Sequence, residues 1–473
     1  MRFKRKLFGV CLAFIFSSLI LFPGGAIGIT IKEEVDLSRE FMKVVLRQFD
    51  LVRDPQIESY VNSIGNRILA VVPPQPFSYQ FYVIRSDEYN AFATPAGHIF
   101  LNSGLIEAME DENELAGIIA HEIAHVVCRH ISQKIDRSKK IQLATLAGMA
   151  AGIFLGASGS ATASSTMTAG AMAAGQSIEL AYSRNDERQA DQLGLDYLAK
   201  AGYDGTGLLT MLKKIRSRQW FGSNEIPTYL KTHPGSEERM GYIGTWVEKN
   251  NKSIKKADSY NFRLAHTRLV GLYGETNAAL KYFEAELRSD PENSLAHYGY
   301  GLALARTGKR GDAILQLKAA LEKKAFNPYI LEDLGRIYFL DGRYLEALNV
   351  LEGAKGLLEY SPDGLFFLGR TQMELGKSES AVSTFEELLE KKPNYQQVYY
   401  FLGEAYDQLG RSEEAHYYLG IHFRNKGDLK TAAFHLKKAS ANITDSHKKS
   451  NIEKMLEEIR KAEQPKSRKN TKS

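Results

Sequence analysis

Glycine stands at residues 274, 308, 342, 376 and 410, a spacing of 34 every time. Ala279, Ala313, Ala347, Ala381 and Ala415 follow in the same register, and Phe283, Leu317, Leu351, Phe385 and Leu419 complete it. A fixed period of this length means that one short unit is copied along the chain. Each copy is too small to bury its own apolar face, so neighbours must stack. The pairs Leu334-Gly335, Leu368-Gly369 and Leu402-Gly403 fit the first helix of each unit. The small Gly and Ala residues are expected where the two helices of a pair cross closely, with the large apolar residues filling between them. Beyond Gly410 the register breaks, and Gly420, Gly427, Ala432 and Leu436 restart it early. Either one helix there serves two units, or the last unit is an irregular cap. Residues 447–462 read as a final amphipathic helix, and 464–473 as a polar, basic tail without fixed structure.

This pattern resembles the tetratricopeptide repeat. The resemblance implies an all-α solenoid over residues 258–440, with a concave groove suited to peptides and helices. Residues 441–473 then form a terminal helix and tail. The whole chain has 473 residues, too many for one core, so the first half must hold a separate domain.

The start of the chain reads as a leader. Arg2, Lys4, Arg5 and Lys6 precede an uncharged apolar run from Leu7 to Phe22. Pro23-Gly24-Gly25 breaks the run, and Ala26-Ile27-Gly28 supplies small residues for cleavage near Gly28. This order is that of a secretory signal peptide over residues 1–28. The run is short for a spanning helix, which needs about 20 residues. Without the leader's four basic residues, the formal net charge falls from +5 to about +1. No domain-wide basic field argues for nucleic acid. Cys11 and Cys128 are the only cysteines, and Cys11 leaves with the leader. An exported chain with one thiol has no internal disulfide and must rely on its cores or a metal.

Within residues 29–250, Val35, Met42, Val45, Leu46 and Leu51 recur at helical spacing. Asp54-Pro55 marks a turn before a second helix carrying Ile57, Tyr60, Val61, Ile64 and Ile68. Residues 77–84 alternate aromatic and β-branched side chains and read as a strand, as does His98 to Asn102 after the turn Thr94-Pro95-Ala96-Gly97. Residues 112–138 read as one long helix with Ile118, His121, His125 and Cys128 on one stripe. Residues 141–178 carry no charge and are rich in Ala, Gly, Ser and Thr. That composition makes a weak membrane hairpin and suits an insertion near the functional site; a membrane-surface contact stays open. Helical pattern returns from Asp186 to Lys200, stops at Gly202, and resumes from Thr206 to Gln219.

The chemistry lies in His121-Glu122-Ile123-Ala124-His125. On a helix, residues i and i+4 share a face, so both imidazoles reach one Zn²⁺ at about 2.0–2.1 Å. Glu122 faces the open side of the metal, where it takes the proton of a water as general base. A catalytic zinc needs a third protein ligand. Glu187 and Asp191 are themselves i and i+4 on the later helix. One of them can bind the metal while the other accepts the N–H of a ligating histidine. Cys128, one turn beyond His125, fits a free thiol packed as a small hydrophobe. His130 is placed to bridge the two helices, and no zinc role is needed for it.

Several motifs together resemble the HtpX and CAAX-prenyl-protease type of gluzincin peptidases. Ser183, Arg184, Glu187, Ala190 and Asp191 match that family's Ser-Arg-x-x-Glu-x-x-Ala-Asp segment. The match implies that Glu187 is the third zinc ligand, leaving Asp191 to the histidine N–H. Asn90-Ala91-Phe92-Ala93 and Pro95-Ala96-Gly97 resemble the segment before the zinc helix, with Ala96 where the family commonly has Gly. The resemblance implies that the strand after the turn binds substrate in extended form, with Asn90, Ala91 and Phe92 as substrate-strand residues. Thr232-His233-Pro234 and Arg239 match a further His-Pro…Arg motif. His233 is expected on a loop near the zinc, either filling the fourth metal position at rest or contacting substrate. Arg239 shares that regulatory or substrate-contact role.

The expected fold is mainly α: a zincin-type α+β metallopeptidase domain with a small sheet, then the all-α solenoid. The expected function is an exported, periplasmic zinc endopeptidase with one Zn²⁺ per chain. Members of the family with an exported domain and such repeats imply protein substrates, above all misfolded or stalled outer-membrane proteins. The repeats are expected to recruit them or to engage the outer-membrane assembly machinery. The competing reading is a repeat-based chaperone or scaffold of outer-membrane assembly with minor or latent peptidase activity. A wall-cleaving glycosidase would need paired carboxylates in a sugar cleft, and no such signature stands out.

Overall fold

The computed structural model describes residues 29–137, 182–221, 227–250, 259–323, 327–357 and 362–463. The expected leader at 1–28, the uncharged stretch 141–178 and the basic tail at 464–473 lie outside these residues. Among the described residues, no helix is long and apolar enough to cross a membrane. The chain divides into two compact units, residues 1–53 with 58–262, and residues 54–57 with 263–473.

The first unit opens with α1 (Ile31–Gln48) and α2 (Pro55–Leu69). Thr30 caps α1 through a capping box with Glu33, which satisfies two of the free N–H groups at the helix start. Three short strands follow, β1 (Gln80–Ile84), β2 (Ala91–Ala93) and β3 (His98–Asn102). They form one sheet in the order β1-β3-β2, with β1 parallel and β2 antiparallel to β3. The register places Tyr82 and Phe92 on either side of Phe100. Their rings stack in a row, each pair 5.0 Å apart. Phe41 of α1 meets Phe92 edge-on, so the sheet's aromatic row is the surface on which α1 packs.

The turn between β2 and β3 is a single 3-10 turn, Pro95–Gly97. Ala96 there has φ 62° and ψ 22°, the left-handed region that glycine enters at no cost. The glycine that the family resemblance leads one to expect here would take this conformation without strain, and Ala96 takes it nonetheless.

After the short helix α3 (Ser103–Glu107) comes α4 (Glu112–Val127), capped by Asp111. Every residue of α4 from Glu112 to Val126 is buried, so it is the central post of the unit. The expected single helix over 112–138 is in fact two. Arg129 takes φ 54°, which breaks the helix before α5 (His130–Arg137). The helices α6 (Arg184–Ala201), α7 (Thr206–Phe221), α8 (Thr228–Thr232) and α9 (Ser236–Asn250) complete the unit. Two glycines set how closely α4 is approached. A Cβ on Gly117 would come 2.6 Å from the Leu208 nitrogen of α7, and one on Gly194 of α6 would come 3.3 Å from the His121 nitrogen.

The second unit is a run of paired helices, α10 (Ser259–Tyr273) and α11 (Thr276–Ser289), α12 (Ser294–Arg306) and α13 (Arg310–Lys323), α14 (Pro328–Leu340) and α15 (Tyr344–Leu357), α16 (Pro362–Glu374) and α17 (Ser378–Lys391), α18 (Val398–Gln408) and α19 (Ser412–Asn425). The helices α20 (Leu429–Ser440) and α21 (Ser446–Glu463) follow. The repeat glycines play a different part from the one expected. Gly308, Gly342, Gly376 and Gly410 have φ between 70° and 81°, and a Cβ on any of them would meet nothing within 4 Å. They are left-handed turn residues that end the first helix of each pair, not crossing points. The crossings belong to a second series. A Cβ on Gly301, Gly335, Gly369 or Gly403 would strike the residue sixteen further on, Leu317, Leu351, Phe385 or Leu419, at 2.3–2.9 Å. Ala313, Ala347, Ala381 and Ala415 are buried beside them. Gly420 repeats this relation with Leu436 at 2.7 Å. Helix α19 therefore serves two units: its Leu419 packs back on Gly403 while its Gly420 receives Leu436 of α20.

Candidate metal centre

Helix α4 presents His121, Glu122 and His125 within a fully buried stretch. Helix α6 crosses it at Gly194 and brings Glu187 and Asp191 alongside. The start of α6 is fixed by Ser183, whose side chain and that of Asp186 form a capping box. The serine of the Ser-Arg-x-x-Glu segment is thus a helix cap that sets the phase of Glu187 and Asp191. The loop between α8 and α9 supplies the fourth side chain, His233, whose N–H bonds the Tyr229 carbonyl at 2.7 Å. His121, His125, Glu187 and His233 are all buried, and one ligand atom from each lies within 4.8 Å of the others.

The separations between those atoms are informative. His121 Nε2 lies 3.0 Å from His125 Nε2 and 3.4 Å from His233 Nδ1. Glu187 Oε2 is 3.5 Å from His121 Nε2, and Glu187 Oε1 is 3.4 Å from His125 Nε2 and 3.1 Å from His233 Nδ1. Four ligands about 2.0–2.1 Å from one tetrahedral centre stand about 3.3–3.4 Å from each other. The donor set, three imidazoles and a carboxylate, is the one zinc takes.

Glu122 stands beside this cluster without taking part in it. It is fully buried, and neither carboxylate oxygen has a hydrogen-bond partner; His233 Nε2 is 3.8 Å from Oε1. Burial raises the Glu122 carboxyl above its usual range, against the pull of His233 and His121. A buried carboxyl without a partner is costly unless something else meets it. A water between Glu122 and a metal would do so. The residues present therefore fit a zinc ion.

Behind the cluster, Asp191 and Arg239 hold one another and two of its members. Asp191 Oδ1 sits 2.9 Å from His121 Nδ1, which leaves Nε2 free to face a metal. Arg239 donates to Asp191 from both Nε and Nη2 at 2.8 Å and meets Glu187 at 2.5 Å. Tyr242 donates to Asp191 at 2.5 Å. Burial by itself would raise the carboxyls of Glu187 and Asp191, but the Arg239 charge outweighs it and both are held well below the usual carboxylate range. Arg239 is thus a charge partner of Glu187 and Asp191, only 2% exposed.

Sequence reasoning missed several neighbours of the cluster. Tyr182 stacks on His125 at 3.7 Å, and Tyr229 stacks on His233 at 4.2 Å. Gln189 stands behind His125 through His130, which bridges to α6 as its position suggested but also meets His125. None of these carries a spacing signal of its own, although Tyr182 directly precedes the recognised segment. Cys128 is half-buried and outside the cluster; burial pushes its thiol up to about 11. The segment from Asn90 to Phe92 enters β2, an edge strand of the sheet, and these three side chains are buried.

Comparison with known proteins agrees with this geometry. Residues 53–247 match peptidase family M48, and residues 274–328, 306–362 and 368–418 match the tetratricopeptide repeat. A beta-barrel assembly-enhancing protease of Yersinia pestis is 26% identical over 66% of this chain and 63% of its own. The protein of that name from Escherichia coli is 26% identical over 70% of this chain and 68% of its own. The mitochondrial metalloendopeptidase OMA1 of Schizosaccharomyces pombe is 27% identical over 43% of this chain and 56% of its own. The chain thus spans about two thirds of the length of the first two relatives. It carries the peptidase family M48 domain of zinc metalloendopeptidases, joined to tetratricopeptide repeats, and the fold is mainly α with one small three-stranded sheet.

Proposed function

From a chain that joins an M48 zinc-peptidase domain to tetratricopeptide repeats, we propose an exported, periplasmic endopeptidase that hydrolyses peptide bonds of envelope proteins in outer-membrane assembly and quality control. The names of the relatives support the setting. One observation carries the chemistry: four buried ligand atoms, all within 4.8 Å of one another, beside a buried Glu122 whose carboxylate oxygens have no hydrogen-bond partner.

In this reading His121, His125 and Glu187 hold the metal. Zinc, when bound, polarises a peptide carbonyl and lowers the pKa of a water towards about 7. Glu122 takes the proton of the attacking water and later delivers it to the leaving amine. Asp191 fixes the His121 tautomer, and Arg239 fixes Asp191. A substrate in extended form pairs along the edge strand that follows Asn90, through the backbone of Ala91 and Phe92, whose buried side chains hold the strand in place. His233 occupies the fourth position at rest and withdraws for catalysis. Misfolded or stalled outer-membrane proteins are the substrates, and the repeats present them or engage the assembly machinery.

The test is Glu122→Gln in the purified chain. Zinc content should be unchanged and cleavage of an unfolded protein substrate abolished. Full cleavage by that variant would overturn the assignment.

A second reading has one observation in its favour. With His233 in place the donor set is four protein side chains, the pattern of closed zinc sites rather than open ones. The chain would then act mainly as a repeat-based chaperone or scaffold with latent peptidase activity. If Glu122→Gln restores outer-membrane assembly to cells that lack the protein, scaffolding is the main function.

A further inference from the structure

The two histidines of α4 are held from behind by unlike groups. His121 has the carboxylate of Asp191. His125 has a second imidazole: its Nδ1 lies 2.9 Å from Nδ1 of His130. His130 is 2% exposed, and its Nε2 lies 3.0 Å from Gln189 Oε1 on α6. Asp186 Oδ1 stands a little further from the same nitrogen, at 3.9 Å.

Proton counting fixes the direction of this chain. Two imidazole nitrogens at hydrogen-bond distance share one proton, so one donates and the other accepts. An amide oxygen and a carboxylate both only accept. With the Gln189 amide oxygen turned towards it, the orientation in which Asp186 also faces this nitrogen, His130 carries its proton on Nε2 and offers a lone pair at Nδ1. His125 donates into that lone pair from Nδ1, which leaves its Nε2 bare, towards Glu187 and the other ligand atoms. The opposite arrangement would set two N–H groups against each other.

The backbone is bent to make this contact. On a continuous helix, residue i+5 lies about 140° around the axis from residue i, so His130 would point away from His125. The left-handed Arg129 turns the chain back. That conformation costs a non-glycine residue about 1–2 kcal/mol. Arg129 is anchored by the buried carboxylate of Glu34, to which Nε donates at 2.6 Å, and by the Ile29 carbonyl, also at 2.6 Å.

We propose that His130 is a positioning residue for the metal centre: it holds His125 in the tautomer and ring orientation that a metal requires, and Gln189 sets the tautomer of His130. This rests on the zinc reading above. The experiment measures the zinc affinity of the full chain by competition with a chelating dye. His130→Leu should weaken zinc binding about 10–100-fold, the usual effect of losing a partner behind a ligand. His130→Asn puts an amide oxygen near the former Nδ1 and should stay within about threefold of the natural chain. Gln189→Leu, at an exposed position on α6, should fall between, and Gln189→Glu should not weaken binding. Long-range proton–nitrogen spectra of the zinc-loaded protein should show His130 as the Nε2–H tautomer. Unchanged affinity in folded His130→Leu, equal losses in the Leu and Asn variants, or an Nδ1–H tautomer would each overturn the proposal. If His130→Leu does not fold, the Gln189 pair decides: equal affinity of its Leu and Glu variants overturns it. A natural chain that binds no zinc at all would instead overturn the functional reading.

Discussion

Arg239 is the residue whose loss should be felt most in the peptidase unit. Its guanidinium is the charge partner of two carboxylates, Glu187 and Asp191, both fully buried. Arg239→Met keeps most of the side-chain volume and removes the charge. Two buried carboxylates then stand without their cation in a metal-free chain. Breaking one buried pair in this way costs about 3–5 kcal/mol; with two carboxylates orphaned, the upper end is expected. For a unit of this size each kcal/mol shifts the melting midpoint by about 2–4 °C, which gives a fall of about 6–20 °C. The assay is simple because both tryptophans, Trp220 and Trp246, lie in the first unit. Their fluorescence during heating follows that unit without the repeats. Zinc should recover part of the loss, since its charge meets the same carboxylates; at 100 times its dissociation constant a ligand contributes about 2.7 kcal/mol. A metal-free variant that melts within about 2 °C of the natural chain would refute the reasoning, because at 2–4 °C per kcal/mol such a shift leaves no room for an orphaned pair.

Three further outcomes are expected. His233→Ala should raise peptidase activity on an unfolded protein substrate; lower activity would remove its blocking role and favour contact with substrate. In the repeats, Gly369→Ala drives a Cβ to 2.3 Å from the Phe385 ring and should destabilise by up to about 2 kcal/mol, overpacking of about 1–3 less about 1 for the helix preference of Ala, while Gly353→Ala, in open space on α15, should stabilise by up to about 1 kcal/mol; urea midpoints read by far-ultraviolet dichroism separate the two signs. Asp333 is buried, which alone would raise its carboxyl, but Arg268 outweighs this and the carboxyl is held below its usual value, so its contribution to stability is present above about pH 3.8 and lost as pH falls further. The urea midpoint of the repeats should therefore fall less steeply below pH 4 in Asp333→Asn than in the natural chain, and equal slopes would count against that carboxylate.

The repeats show what a period can and cannot disclose. A spacing of 34 gave the helix pairs because every copy faces the same packing problem. It could not tell the two glycine series apart, because both repeat every 34 residues. One is required by backbone conformation at the turn, as in Gly342 with φ 78°. The other is required by a side chain on the facing helix, as in Gly335 under Leu351. Only the second series has its partner sixteen residues on, and that relation is what identifies α19 as shared between units. The same kind of ambiguity hid the break at Arg129. Apolar periodicity continues through it, since Ile131 is also buried, and no glycine or proline marks a residue that is left-handed because Glu34 holds it there.

The site itself was legible where chemistry imposes a spacing on one helix. His121 and His125, or Glu187 and Asp191, are four apart because one turn separates neighbours on a face. Groups that arrive from another element leave no such trace, which is why nothing in the sequence joins Tyr182 and Tyr229 to the cluster. His233 is the instructive case, visible only through a Thr-His-Pro motif. Three of the four ligand atoms belong to α4 and α6, helices of sixteen and eighteen residues that cross at Gly194. None of those can leave the centre without moving a helix packed in the core. His233 follows a helix of only five residues and precedes a proline. Its backbone N–H bonds the Tyr229 carbonyl, the Tyr229 ring stacks on it, and its Nδ1 lies 3.1 Å from Glu187 Oε1, but no helix of the core carries it. A catalytic zinc must keep one position for water, and a closed centre can open only where a ligand is cheaply released. On the proposed reading, the difference in attachment makes His233 the ligand expected to withdraw, and the activity of His233→Ala is the test.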